Sequence, residues 1–263
     1  MAKEKSKNEG AKMLDAMFAK RGYLLPYHRM LAASDPKLLA TYDALYTRLT
    51  LDERILTSVE KETVWIALIA TTREKLAIFH FERAEAAGMS NTAISDALAI
   101  AAACESFNAL FFGQSAFTKW VSESLAIKRY IRIFEAARGR TLPATAEIAA
   151  AVCHAGLRNA NGMRIHLQRA FASGATHGQM AEALSYVLLH RGGPTMVDAV
   201  ACWEKAAAEL AIKSADAATL QAQAAVDAVA KLSASVSAMI TSLKKQITSL
   251  TNLVIKIQKK VKA

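Results

Sequence analysis

The chain is poor in the residues that break or staple a fold. Four prolines and eleven glycines in 263 residues leave long Ala- and Leu-rich stretches uninterrupted, which argues against a loop-rich chain and for helix. Three cysteines, Cys104, Cys153 and Cys202, lie far apart with no Cys-x-x-Cys. That excludes a disulfide framework and suits buried thiols in a reducing compartment. No stretch of about 18 uninterrupted apolar residues occurs, so no membrane span is expected. The opening MAKEKSKNEG has no apolar run behind it, so no secretory leader is expected and a cytoplasmic location is. Period-two alternation is missing, and with it any expected sheet. A Gly-rich phosphate loop and metal-ligand spacing are missing too, so the expectation is no cofactor and no metal.

Apolar residues make up 53% of the chain, enough for a sizeable core, and the net charge is +10. The charge is uneven. Residues 213 to 263 carry eight Lys against Asp216 and Asp227, so the middle of the chain is only mildly basic. Nucleic-acid binding calls for Arg and aromatics interleaved on a folded surface. The basic tail contains neither, and a nucleic-acid partner is not expected.

A repeated pattern organises what is present. Ile78 to Gly88, IFHFERAEAAG, and Arg164 to Gly174, RIHLQRAFASG, both read His-x-x-x-Ala-x-x-x-Gly. The steps of four put His and Ala on one helical face and Gly at a helix stop. Ala97–Leu98 after the first copy answer Ala183–Leu184 after the second, at the same offset of 86. Two copies in one register point to a duplicated unit.

The expected fold is all-α: two tandem helical units plus a C-terminal coiled-coil helix. Residues 1–11 read as a disordered basic arm and 12–112 as the first unit. A connecting helix over 114–137, with Trp120, Tyr130 and Phe134 on its apolar side, leads into the second unit within 113–212. Ser34 is expected to cap a helix beginning at Pro36, and the Arg191-Gly-Gly-Pro194 run to break one. In the tail, 213–263, apolar residues fall at 236, 240, 243, 247, 250, 254, 257 and 261. This heptad seam calls for a partner helix, from the same chain or another protein. Folding back on the globular part, or lying on an anionic membrane, are the other arrangements it allows.

Over about residues 13 to 210 the two His units resemble the carboxymuconolactone decarboxylase family, which includes the alkylhydroperoxidase-D-like proteins. The resemblance implies an all-helical oligomer in which three two-unit chains close a ring, which favours a homotrimer. The family's redox branch places two cysteines before the His. Here Arg73 and Leu76 stand in those places before His80, and Asn159 and Gly162 before His166. A thiol relay needs a thiolate and a resolving partner, so peroxidase chemistry is not expected. The decarboxylase branch resembles Arg-x-x-Glu-Leu-x-x-His followed by Gly-x-Pro. The first unit keeps Arg73 and His80 but has Leu76 for Glu; the second keeps His166 and Gly192-x-Pro194. The family's upstream Glu, nineteen residues before the His, is matched by Glu147. In the first unit that place is Lys61, with Glu60 and Glu62 on either side.

The catalytic candidates are therefore His80, His166 and Glu147, with Arg73 as a substrate-binding residue. Imidazole titrates near neutral pH and suits proton transfer; Arg73 could hold a carboxylate. Each has a plain structural alternative: a buried His bonded to backbone, a first-turn Glu, a surface Arg. His177 and His190 read as surface or packing residues. Two functions stay open. One is a catalytically degenerate binding or scaffold protein built on the ring and coiled coil. The other is a cofactor-free acid–base enzyme, of decarboxylase or lactone type, acting on a small organic acid.

Overall fold

The computed structural model describes residues 2–211 and 231. The chain divides into two compact units, Met1–Ala206 and Ala207–Ala263. In the second, 207–211 and Lys231 are described, and all are helical; the heptad seam lies outside the described residues.

Among the described residues the fold is all-α, with no strand. The first unit holds α1 (Ala2–Arg21), α2 (Pro26–Ser34), α3 (Pro36–Tyr46) and a π-helical turn (Thr47–Leu51). Then come α4 (Ser58–Thr72), α5 (Phe79–Ala86), α6 (Asn91–Ala116) and α7 (Glu123–Ala137). The last are α8 (Pro143–Gly156), α9 (Ala160–Ala172), α10 (His177–Ser185) and α11 over 187–206. The centre is α4, α6 and α8, with α8 also against α9 and α4 against α5. Nearly every residue of α4 from Lys61 to Ile69 and of α8 from Thr145 to Gly156 is buried. These two helices are mostly apolar all round because they are packed all round; Glu62 on α4 and Glu147 and His154 on α8 are among their buried polar side chains.

Caps fix the helix ends. Thr57 accepts from the Glu60 amide while Glu60 reaches back to the Thr57 amide, a reciprocal pair that satisfies two otherwise orphaned donors. Ser90, Ser122 and Thr176 cap α6, α7 and α10. At the other ends, α5 and α9 finish alike. Gly88 and Gly174 adopt φ of +86° and +90°, and the next amide bonds back to Ala84 or Ala170 at 2.9 Å in each case. A Cβ would oppose that left-handed backbone, so the Gly of the repeated nonapeptide is there to stop the helix. Ala84 and Ala170 are fully buried.

Several expectations are corrected. Residues 2–11 are helical rather than a disordered arm; at Gly10 a Cβ would strike the Ala32 carbonyl, so the missing side chain is what seats α1 on α2. Asp35, not Ser34, caps α3, its carboxylate accepting from the Leu38 amide. The 114–137 segment is two helices parted at 117–122, with Trp120 exposed while Tyr130 and Phe134 are buried. Residues 191–194 are helical, but Gly192 takes a left-handed φ of 75°, so the expected break is present as a local distortion within the helix, with Pro194 following it. One described helix, α6, is long and apolar enough to cross a membrane; it packs on α4, α7 and α8 and buries Ile100, Ala101, Ala103, Cys104 and Phe107.

Candidate functional site: two histidine–glutamate centres

His80 sits one residue into α5, beside α4. Its Nδ1–H donates to Glu62 Oε2 at 2.7 Å, and both side chains are almost wholly buried. The carboxylate can only accept, so the ring proton lies on Nδ1 and Nε2 keeps its lone pair. Burial holds the His80 pKa below its ordinary value, against the opposing pull of Glu62. The imidazole is therefore neutral near pH 7 and its Nε2 is a base.

That ring forms part of the wall of a cavity of about 410 Å³. Tyr23, Tyr27, Tyr42 and Tyr46 supply much of the remaining wall, with Phe79, Trp65 and, from α11, Leu189 and His190. Trp65 stacks on His80 at 4.6 Å and on Tyr186 at 4.4 Å, with ring planes 29° and 19° apart, which restrains the imidazole. The tyrosine hydroxyls are paired, Tyr23 with Tyr46 and Tyr27 with Tyr42, each at 2.5 Å. Burial is the first cause raising the pKa values of Tyr23, Tyr27 and Tyr42, so the phenols stay neutral. His190 is pushed down to about 4 by burial and by His80 beside it; its Nδ1 lies 3.1 Å from the Thr72 hydroxyl. Among the described residues the wall contains no Lys or Arg, and its one acid is Glu74; Arg83 reaches the Tyr46 hydroxyl from behind it.

His166 has a similar first partner and a different second one. Its Nδ1–H donates to Glu147 Oε2 at 2.6 Å, and Arg169 Nε donates to Glu147 Oε1 at 2.7 Å. Arg169 also pairs with Glu135. Nε2 is closed off, because the Tyr130 hydroxyl donates to it at 2.5 Å. The same oxygen lies 2.8 Å from His154 Nε2, so His154 must donate there and its Nδ1 is left as a buried acceptor with no partner. Burial is the chief cause holding both His166 and His154 below the usual imidazole range. Cys104 Sγ, His154 and His166 offer ligand atoms all within 4.8 Å of one another.

Of the sequence candidates, His80 reaches a cavity, while His166 and Glu147 are joined but sealed. Arg73 goes elsewhere. It ends α4 in the left-handed conformation with φ of 60°, and its exposed guanidinium bonds Glu105 at 2.7 Å and the Ala70 carbonyl at 2.7 Å. It is not part of the cavity wall. By sequence spacing Glu62 is only a neighbour of the expected position, Lys61. It is the carboxylate that meets His80, eighteen residues upstream instead of nineteen, and only the packing of α4 on α5 could choose it over Glu60, which caps the helix. His190, set aside as a packing residue, is part of the cavity wall. Comparison of the chain with protein-family profiles, curated proteins and solved structures finds no match.

Proposed function

We propose that this is a non-redox protein of the carboxymuconolactone decarboxylase-like kind in which one His centre still serves a ligand and the other has become structure. The ligand is a small, uncharged, planar organic molecule held among the tyrosines, with His80 Nε2 positioned to accept a proton from it. Glu62 is the positioning residue: it holds the Nδ1 proton and steadies the imidazolium that forms. The observation that carries this is the free Nε2 of a Glu-oriented, neutral imidazole in a cavity. Among the described residues the wall itself holds no Lys or Arg; Arg21 and Arg83 lie behind it, on the Tyr46 ring and hydroxyl, so a carboxylate would lose its hydration without a direct ion pair. The small organic acid expected from the sequence is therefore replaced in this proposal by an uncharged compound.

The duplication is part of the same proposal. The paired Glu–His contacts, the matching Gly-stopped helices and the left-handed Arg73 and Arg158 that end α4 and α8 support one helical module copied in tandem. A homotrimer closed by six modules, with the heptad seam pairing between chains in the cytoplasm, completes it.

The test is solvent deuterium exchange into a neutral enolisable ketone such as phenylacetone, followed by NMR, with binding read from tryptophan fluorescence. Wild type should bind and catalyse exchange. His80→Gln should lower the exchange rate on the order of 100-fold or more, while His166→Gln, if folded, should leave it near wild type. Absence of both binding and exchange across neutral aromatic ketones and lactones would defeat the enzyme reading. The scaffold reading, favoured by the sealing of His166 and the diversion of Arg73, would then stand. Light scattering on a chain lacking 233–263 tests the assembly: an unchanged mass and thermal midpoint would remove the coiled coil from the proposal.

A further inference from the structure

We propose that Cys104, His154, His166 and Tyr130 form a structural site for one divalent d-block cation, zinc by preference, that ties four helices together. The residues come from α6, α8, α9 and α7. No two lie at a recognisable metal-binding spacing in the sequence, and only packing assembles them.

The donor set is the first argument. Two imidazole nitrogens and a sulfur, with a phenol oxygen as the fourth donor, suit zinc better than the oxygen-seeking magnesium or calcium. The three His and Cys ligand atoms lie within 4.8 Å of one another. Bond lengths of about 2.0–2.3 Å would draw these three in on the order of 1 Å from that outer limit, and would move the Tyr130 oxygen, now 2.5 and 2.8 Å from the two imidazole nitrogens, out to about 3.3 Å from each.

Orientation is the second. His166 presents Nε2 to the cluster because its Nδ1 is held by Glu147 at 2.6 Å, and Glu147 is itself held by Arg169 at 2.7 Å. A carboxylate behind a ligating histidine is the usual support of a zinc site. His154 presents Nε2 as well, its other ring edge filling the space left by Gly162, where a Cβ would collide with it.

The third is the sulfur. Tyr130 serves the two imidazoles, and Cys104 Sγ faces the same point, 3.8 Å from the Ala150 carbonyl and 3.9 Å from the Tyr130 hydroxyl, its other partner being the Cys153 thiol. The protons balance once the His154 ring proton is followed: it now lies on Nε2, facing the Tyr130 oxygen, and moves to the unpartnered Nδ1, which frees Nε2 to ligate. Binding the cation also expels the Cys104 thiol proton and the Tyr130 phenol proton to solvent. One thiolate and one phenolate then neutralise the two positive charges, which a buried site requires. All four positions are filled by protein, so the ion has no open position for substrate and acts on stability.

The experiment uses the full chain, dialysed against chelator and titrated with Zn²⁺ alone and with Co²⁺ alone. The expected results are about one ion per chain, release of two protons per ion, and a higher thermal midpoint with Zn²⁺. Cobalt should give intense tetrahedral d–d bands and a thiolate charge-transfer band. Cys104→Ser should lose the charge-transfer band, and Cys202→Ser should keep it. Cobalt-edge X-ray absorption of the wild type should count one sulfur, a readout that needs no variant to fold. Absence of bands in wild type, bands surviving in folded Cys104→Ser, or a sulfur count other than one would overturn the site.

Discussion

The centre at His80 and the centre at His166 begin with the same bond, Nδ1–H to a buried glutamate at 2.7 and 2.6 Å. They differ in what faces the other ring nitrogen. At His80 it is a tyrosine-lined cavity; at His166 it is the Tyr130 hydroxyl at 2.5 Å. The charges behind them differ as well. Glu147 accepts from Arg169 in addition to His166, whereas the hydrogen bond on the Glu62 carboxylate comes from His80. One shared motif thus supports two outcomes, a reactive imidazole and a sealed polar core, and residues outside the motif make the choice.

Removing the two glutamates should separate the centres most strongly. Glu147→Ala leaves Arg169 and His166 without their shared acceptor in a dry interior, and should cost about 3–5 kcal/mol in urea or thermal unfolding. Glu62→Ala removes one hydrogen bond and should cost about 1–3 kcal/mol, with a larger effect on deuterium exchange than on stability. Equal losses at both sites would erase the distinction.

Gly162→Ala comes next. The new methyl would meet the His154 ring, so about 1–3 kcal/mol should be lost by overpacking, read from the denaturation midpoint. The cavity side has no such contact, and exchange at His80 should survive. Its loss would mean that the two centres are coupled.

Acid should act on both centres, because His154 and His166 are held below the usual imidazole range as well. His28 and His190 are each pushed down to about 4 by burial first, with Arg21 adding to it at the former and His80 at the latter, and His80 is lowered too. Asp43 opposes the shift at His28, Glu74 at His190 and Glu62 at His80. The unfolded chain therefore binds more protons than the folded one between pH about 6.5 and about 4, and stability must fall as pH drops through that window. Thermal midpoints measured across it should decline steadily. A flat profile would show that these rings are not held neutral.

Arg73→Ala should have the smallest effect. The guanidinium is exposed on a surface pair with Glu105, so ligand binding and exchange should not change. A drop in either would return Arg73 to the site.

The elements were largely legible, because helix signals are local. Ser90, Gly88 and Gly174 marked helix ends from residue type alone, and His80 and His166 were marked by recurrence. Where reading failed, distant residues decided. Gly10 looks like disorder until Ala32 lies against it. Glu62 cannot be chosen over Glu60 by counting, because a one-residue difference turns a helix by about 100° and only the docking of α5 says which face matters. Cys104, His154 and Tyr130 have no spacing in common, since their contact is made by three helices from different parts of the chain.

By itself the sequence determined that this chain would be helical and where most helices would stop, because propensity, capping and left-handed glycine act within a few residues. It also marked the two histidines, because a repeated pattern needs no third dimension to be seen. Only the tertiary structure decided that one imidazole would open on a cavity and the other would be locked behind Tyr130. The reason is that a side chain's second neighbour is set by the packing of helices distant in sequence, and that packing leaves no local trace.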